Sequence, residues 1–270
     1  GSDTVRSNLT NYTPNIENFV VEMNLTAGIS GALGIESLLE DTLISIENIE
    51  YIGLHNSELT GNELANSIWG GDGDDIIRGG AGNDTLDSGA GDDEIYGGGG
   101  NDIIIQSGSG KQHYDGGADV DTYVLKLSNW TTFPEDFIGE VNLITGFSGA
   151  HLDPTNPLND TVVNIENITL EGDIDFIMTG DDGANIIIAD GGDDIIYGGA
   201  GDDTLDGGAG DDTLDGGAGS DKFDYRKGDG NDIILGFEEG VDEIRFFDFT
   251  DAEQDQFLSE TTPEGHTLMT

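Results

Sequence analysis

A nine-residue period, run twice, constrains this chain more than any other feature. From Gly70 the sequence reads GGDGDDIIR, GGAGNDTLD, SGAGDDEIY and GGGGNDIII, ending at Ile105. From Gly198 it reads GGAGDDTLD, GGAGDDTLD and GGAGSDKFD, ending at Asp224. Looser copies flank the second run at 180–188, 189–197 and 227–235. The first run passes through QSGSGKQHY (106–114) and recovers as GGADVDTYV (116–124). A nine-residue unit with one large apolar position cannot close a core alone, so its copies must stack on one another.

Written as G-G-x-G-x-D-x-U-x, the repeat assigns a physical task to each fixed position. Glycines at positions one, two and four allow a tight turn with positive φ that side chains resist. The last three residues are extended, and the apolar residue U alone points inward. In the clearest copies U is Ile77, Leu86, Ile95, Ile104, Leu205, Leu214 and Phe223. Stacking turns these into a continuous ladder. The fold expected is all-β, a solenoid of short strands.

A larger unit is also duplicated. Asp41–Asp75 aligns without a gap on Asp160–Asp194 at a shift of 119 residues, with fifteen of the thirty-five positions identical. Upstream, MNLTAGISGA (23–32) resembles VNLITGFSGA (141–150). The segments TLISIENIEYIG (42–53) and TVVNIENITLEG (161–172) read as strands, and Asn15–Phe19 as a third Ile-Glu-Asn copy. The expected organisation is a first module at 1–124, with lead-in strands at 1–60 and an array at 61–124. A junction at 125–139 follows. The second module spans 140–250, with lead-in at 140–179, array at 180–235 and exit strands to 250. Residues 251–270 form a cap or the start of a following segment, with a short helix at Asp251–Leu258.

Charge then narrows the chemistry. Fifty-six Asp and Glu face eight Lys and Arg, a formal net charge of -48. Such a chain repels itself when compact, so a counter-charge is needed. An acidic surface excludes nucleic acid as a partner, and no apolar run is long enough to span a membrane. With no cysteine, stability must come from metal or from the stacked core. The sixth repeat position is acidic at Asp75, Asp84, Asp93, Asp102, Asp194, Asp203, Asp212, Asp221 and Asp232. Each closes a glycine turn whose carbonyls are free to face an ion, and carboxylates with carbonyls in a flexible turn suit calcium better than magnesium. The four histidines are scattered, which argues against zinc. Several calcium ions are therefore the expected cofactor. Asn66 and Asn185 take the sixth position in the copies that open the arrays, where a neutral oxygen offers a weaker ligand. In the degenerate copy 106–114, Lys111 falls on that position by count.

This pattern resembles the repeats-in-toxin (RTX) family, over most of the chain. The resemblance implies a parallel β-roll, a right-handed solenoid whose successive turns fall on opposite edges, with turns two repeats apart sharing an ion. On that basis Asp75 pairs with Asp93, Asp84 with Asp102, Asp194 with Asp212, and Asp203 with Asp221. It further implies a region of a large bacterial protein exported by type I secretion, folding on calcium outside the cell or at its surface. The role implied is structural, within an adhesin, toxin or exoprotein, with another extracellular protein as partner. The alternative is a carbohydrate-binding accessory module of a secreted polysaccharide-modifying enzyme, with surface polysaccharide as partner. Catalytic motifs are absent, so no enzyme activity is expected. Asp153-Pro154 reads as a turn, and Trp69 and Trp130 as residues able to stack on sugars.

Overall fold

A computed structural model describes side chains for residues 48–51, 55–127, 138–149 and 160–250. It adds strand backbone at 4–8, 20–24, 29–33, 41–42, 52, 150, 260–261 and 267–268. Asn15–Phe19, Trp130, Asp153-Pro154, the Asp251–Leu258 helix and most of the 125–139 junction lie outside the described residues. Every regular element that is described is a β-strand. The chain divides into two compact units: Gly1–Val124 with Pro157–Ile165, and Leu125–Asn156 with Glu166–Thr270.

In the first unit the chain alternates between two parallel sheets, because each glycine turn sends it to the opposite face. One sheet stacks Asn48–Ile52, Ser67–Trp69, Thr85–Asp87 and Ile103–Gln106. The other stacks Ser57–Thr60, Ile76–Ala81, Glu94–Gly99, His113–Ala118 and Asp160–Val163. Strands in the second sheet run longer because pairing continues into the next glycines, Gly80 with Gly98 and Gly98 with Gly117. The second unit repeats the scheme. Asn167–Glu171, Ile186–Ile188, Thr204–Asp206, Lys222–Arg226 and Glu243–Phe247 face Phe176–Thr179, Ile195–Ala200, Thr213–Ala218 and Ile233–Leu235. This is a parallel β-roll.

The lead-in segments do two different things. Their Ile-Glu-Asn strands join the roll as ordinary parallel coils, Ile49 pairing with Ile68 and Ile168 with Ile187. The MNL and VNL segments instead open antiparallel hairpins, Val20–Asn24 with Ile29–Leu33 and Gly139–Asn142 with Phe147–Ala150. The first strand of each hairpin pairs in parallel with the roll, Val20–Asn24 with Ser57–Thr60 and Gly139–Asn142 with Phe176–Thr179.

Register places the inward residues in unbroken columns: Ile49, Ile68, Leu86 and Ile104 on one sheet, Leu59, Ile77, Ile95 and Tyr114 on the other. All are shielded from water. Burying one such side chain contributes about 1.5–3 kcal/mol, and each has its counterparts in register in the coils above and below. Stability therefore depends on holding neighbouring turns in contact, and the turns are where the acidic residues sit.

Candidate metal centre

The turns owe their shape to left-handed glycines at positions two and four, for example Gly80 (φ 113°) and Gly82 (φ 101°), or Gly217 (φ 92°) and Gly219 (φ 151°). In the copy 116–124, Asp119 (φ 82°) takes the place of the glycine at position four. This backbone leaves room for turns two repeats apart to lie directly on one another, with Gly82 N–H donating to Gly99 O at 2.8 Å and Gly73 N–H to Ala90 O at 2.8 Å.

The sixth-position aspartates form a ladder along each edge. The backbone N–H of Asp75 donates to Oδ1 of Asp93, and that of Asp84 to Oδ1 of Asp102, both at 2.8 Å. Asp194 likewise donates to Asp212, Asp203 to Asp221, and Asp212 to Asp232 at 3.1 Å. The four pairs expected from the resemblance are thus neighbours. All nine aspartates are buried. In Asp75, Asp84, Asp93, Asp102, Asp194, Asp203 and Asp212 the second oxygen, Oδ2, accepts no hydrogen bond.

A buried, unsatisfied carboxylate oxygen is costly, so its surroundings show what it fits. A Cβ placed on Gly79 would lie 2.3 Å from Asp84 Oδ2 and 2.7 Å from Gly97 O. On Gly198 it would lie 2.4 Å from Asp203 Oδ2 and 2.6 Å from Gly216 O. Gly70 and Gly97 bound the same kind of space, with Ser88 O and Gly116 O as the carbonyls. Each cradle is lined by one carboxylate oxygen and the carbonyl of a turn two repeats on. Among the described residues, no three carboxylates or histidines converge. Hard oxygen donors of mixed type, in a turn without nitrogen or sulfur ligands, fit calcium and not zinc. Bound there, calcium would supply the positive charge that these oxygens lack. Ser88 and Ala189 stand at the first position of the Asp93 and Asp194 turns, and both are buried.

Several members of the ladders were missed in the sequence, and one was misplaced. The 106–114 copy carries an inserted residue, Gln106, so Gln112 and not Lys111 takes the sixth position. Its Oε1 accepts Asp93 N–H at 2.9 Å. Lys111 is exposed, one place earlier. Beyond Gln112 the edge continues to Asp160, whose Oδ1 accepts Gln112 N–H and whose Oδ2 accepts Gln106 Nε2–H. Asp121 accepts from Asp102, and Asp242 from Asp221. A second ladder runs through position five, where Asp92 N–H donates to Asp74 Oδ1, Asn101 to Asn83, and Asp211 to Asp193. The recurrence of Asp, Asn or Ser at position five was the available signal.

The two turns that open the arrays are built differently. Asn66 Oδ1 accepts Asn62 N–H, and Asn185 Oδ1 accepts Asp181 N–H, both at 2.8 Å. Asn62 and Asp181 in turn accept from Leu64 and Gly183 N–H. None of these four residues is left-handed. Asn185 Nδ2 also donates to Glu166 O at 2.6 Å. The side-chain oxygen closes its own turn and also lines a cradle of the usual kind, beside Gly79 O at Asn66 and beside Gly198 O at Asn185, while the amide N–H of Asn185 turns away to the preceding coil.

Burial away from water pushes Asp75 and Asp194 up to about 8, Asp84 and Asp232 to about 7, and Asp93, Asp203 and Asp212 to about 6. The ion-free roll therefore holds protons that the unfolded chain, with carboxyls near 3.8, has released. Linkage makes its stability full below about pH 4 and progressively lost as pH rises through 6 to 8. Chelated protein should accordingly gain β signal in circular dichroism when acidified from pH 8 to about pH 4.5. The same protons occupy the carboxyls that calcium would bind, so calcium affinity of the acid-folded roll, read by calorimetry, should weaken as pH falls. A chelated chain that stays coil-like throughout would contradict both the burial and the sign.

A parallel β-roll in which most stacked turns present one inward carboxylate beside a turn carbonyl defines a class of repeat protein suited to binding metal ions between its turns. The sequence profile of the RTX calcium-binding nonapeptide repeat matches residues 60–94, 69–104, 179–214, 190–223 and 200–234. Both arrays are RTX repeats, and together they make a calcium-binding repeat region. No curated protein matches the chain.

Proposed function

We propose that this chain is a structural and interaction segment of a secreted adhesin, toxin or exoprotein, which folds when it meets calcium outside the cell. Asp75, Asp84, Asp93, Asp102, Asp194, Asp203, Asp212, Asp221 and Asp232 are its ligands, helped by turn carbonyls. The observation that carries this reading is the row of buried Oδ2 atoms without hydrogen-bond donors, each facing a turn. At a net charge of -48, with Arg78, Arg226 and Arg245 each pairing a single carboxylate, only added cations can offset the self-repulsion of the roll. Turns with one carboxylate apiece belong with the weaker extracellular calcium sites, whose dissociation constants are about 10⁻⁴–10⁻³ M. Such sites stay empty inside a cell and fill outside it. The two modules, 1–124 and 140–250, load separately.

Titrating calcium into chelated protein at pH 7.5 tests this reading. The expected result is a cooperative change from a coil-like to a β circular dichroism spectrum, with magnesium far less effective. A chain already β-folded in chelator at that pH would defeat it.

A further inference from the structure

The geometry points to a binding site for a neutral pyranoside on the outer face of the short-stranded sheet of the first unit, centred on Trp69. Trp69 is 39 % exposed, although it belongs to a regular strand. It forms one wall of an open groove of about 320 Å³ completed by Asn48, Ile49, Glu50 and Ser67. Register puts Glu50 and Asp87 directly on either side of Trp69, about 4.8 Å away at the usual strand spacing. Asn48 and Ser67 stand side by side one pleat away, and Asn48 Oδ1 accepts Ser67 N–H, which fixes its orientation. Arg6 is opposite Glu50 in the register.

The chain contains its own control. At the constant shift of 119 residues, Asn48 corresponds to Asn167, whose Oδ1 accepts Ile186 N–H as Asn48 accepts Ser67 N–H. The structural residue is retained in both copies. Glu50, Ser67 and Trp69, however, correspond to Thr169, Ile186 and Ile188. The scaffold thus needs only small or aliphatic residues at these places. The exposed indole, the carboxylate and the hydroxyl are additions to the first copy that stability does not require.

The chemistry of the additions selects the ligand. An exposed indole face stacks on the C–H face of a sugar ring whose hydroxyls are equatorial. Glu50 accepts from ring hydroxyls, while the amide and the Ser67 hydroxyl both donate and accept. The groove has the size of a small ligand pocket. An anionic polysaccharide is disfavoured by the carboxylates and by the acidity of the whole chain. A quaternary ammonium ligand would use the indole and Glu50 but has no need of the amide and hydroxyl. The site requires a folded roll, and so rests on the calcium reading above.

Calorimetric titration of the full chain in calcium, with cellotetraose as the probe, decides the matter. Saturable binding is expected. Trp69→Ala should abolish it, and Glu50→Gln should weaken it about tenfold, the loss of one charge-assisted hydrogen bond. Both variants should keep the parent's calcium midpoint by circular dichroism. If Trp69→Ala shifts that midpoint, Glu50→Gln carries the test alone. Polygalacturonate should not bind. Silence towards cellotetraose, unaltered binding by the variants, or displacement of cellotetraose by tetramethylammonium chloride at matched ionic strength would each overturn the assignment. Circular dichroism reports separately whether calcium folds the chain, so failure of the sugar site and failure of the calcium reading are distinguishable.

Discussion

Replacing Gly98 by alanine should raise the calcium midpoint of folding at least tenfold or abolish folding, while the same change at its neighbour Gly99 should shift it less than about twofold. Gly98 has φ 112°, and a Cβ there would lie 2.1 Å from Gly80 O in the turn stacked beneath it. Gly80 cannot yield, because Gly80 and Ala81 are in register with Gly98 and Gly99 on one side and Ala81 N–H donates to Asn62 O on the other. Left-handed strain costs about 1–3 kcal/mol, and forcing stacked turns apart costs about as much again. Gly99 is not left-handed, and a Cβ on it meets nothing within 4 Å. Other copies already carry alanine at this third position, as at Ala81 and Ala90. Circular dichroism during calcium titration would compare the two variants. Equal effects would mean that glycine here supplies chain flexibility only, and that the turns do not stack as described.

The second large effect concerns where along an array a carboxylate is lost. Asp212 Oδ1 accepts the Asp194 N–H, its own N–H donates to Asp232, and its Oδ2 has no hydrogen-bond partner. Asp212→Ala removes a charged ligand and strands a buried N–H, so a loss of about 3 kcal/mol or more is expected. Asp232 accepts only the 3.1 Å bond from Asp212. It lies beyond the insertion at Tyr225-Arg226, where the next strand along its sheet, Thr267–Leu268, is antiparallel. Asp232→Ala should therefore move the calcium midpoint several-fold less. Equal shifts, or a larger one for Asp232→Ala, would mean that the aspartates act as diffuse charge and not as a stacked ladder.

The roll was legible in the sequence because positions one, two, four, six and eight of the repeat answer to separate physical demands. Ile77 and Phe223, Asp84 and Asp212 fall where the period puts them. Strict counting failed at Gln106, because one extra residue can be absorbed at a turn while hydrogen bonding resumes in step at Gln112. Asp160 could not be found locally, since it meets Gln112 from 48 residues away and no repeat surrounds it. Asp121 sits in a copy whose position-four glycine is replaced by Asp119, which hid a turn of the usual build. The closed turns at Asn66 and Asn185 were invisible for a different reason. One amide in place of one carboxylate reads as a weaker ligand, and nothing in the sequence shows that the same oxygen also accepts the Asn62 or Asp181 N–H and closes its own turn.

The two ladders run in opposite directions. At position six each N–H reaches forward to the next turn on its edge, as Asp75 does to Asp93. At position five it reaches back, as Asp92 does to Asp74. Every interior turn consequently gives one bond to each neighbour and receives one from each. Its surroundings are the same whether three copies follow it or thirty. Nothing inside an array fixes how many copies it has. Eighteen added residues lengthen it by one coil, about 4.8 Å, without redesign of any existing contact. Reach can thus be adjusted by gene duplication alone, and only the first and last turns need individual sequences.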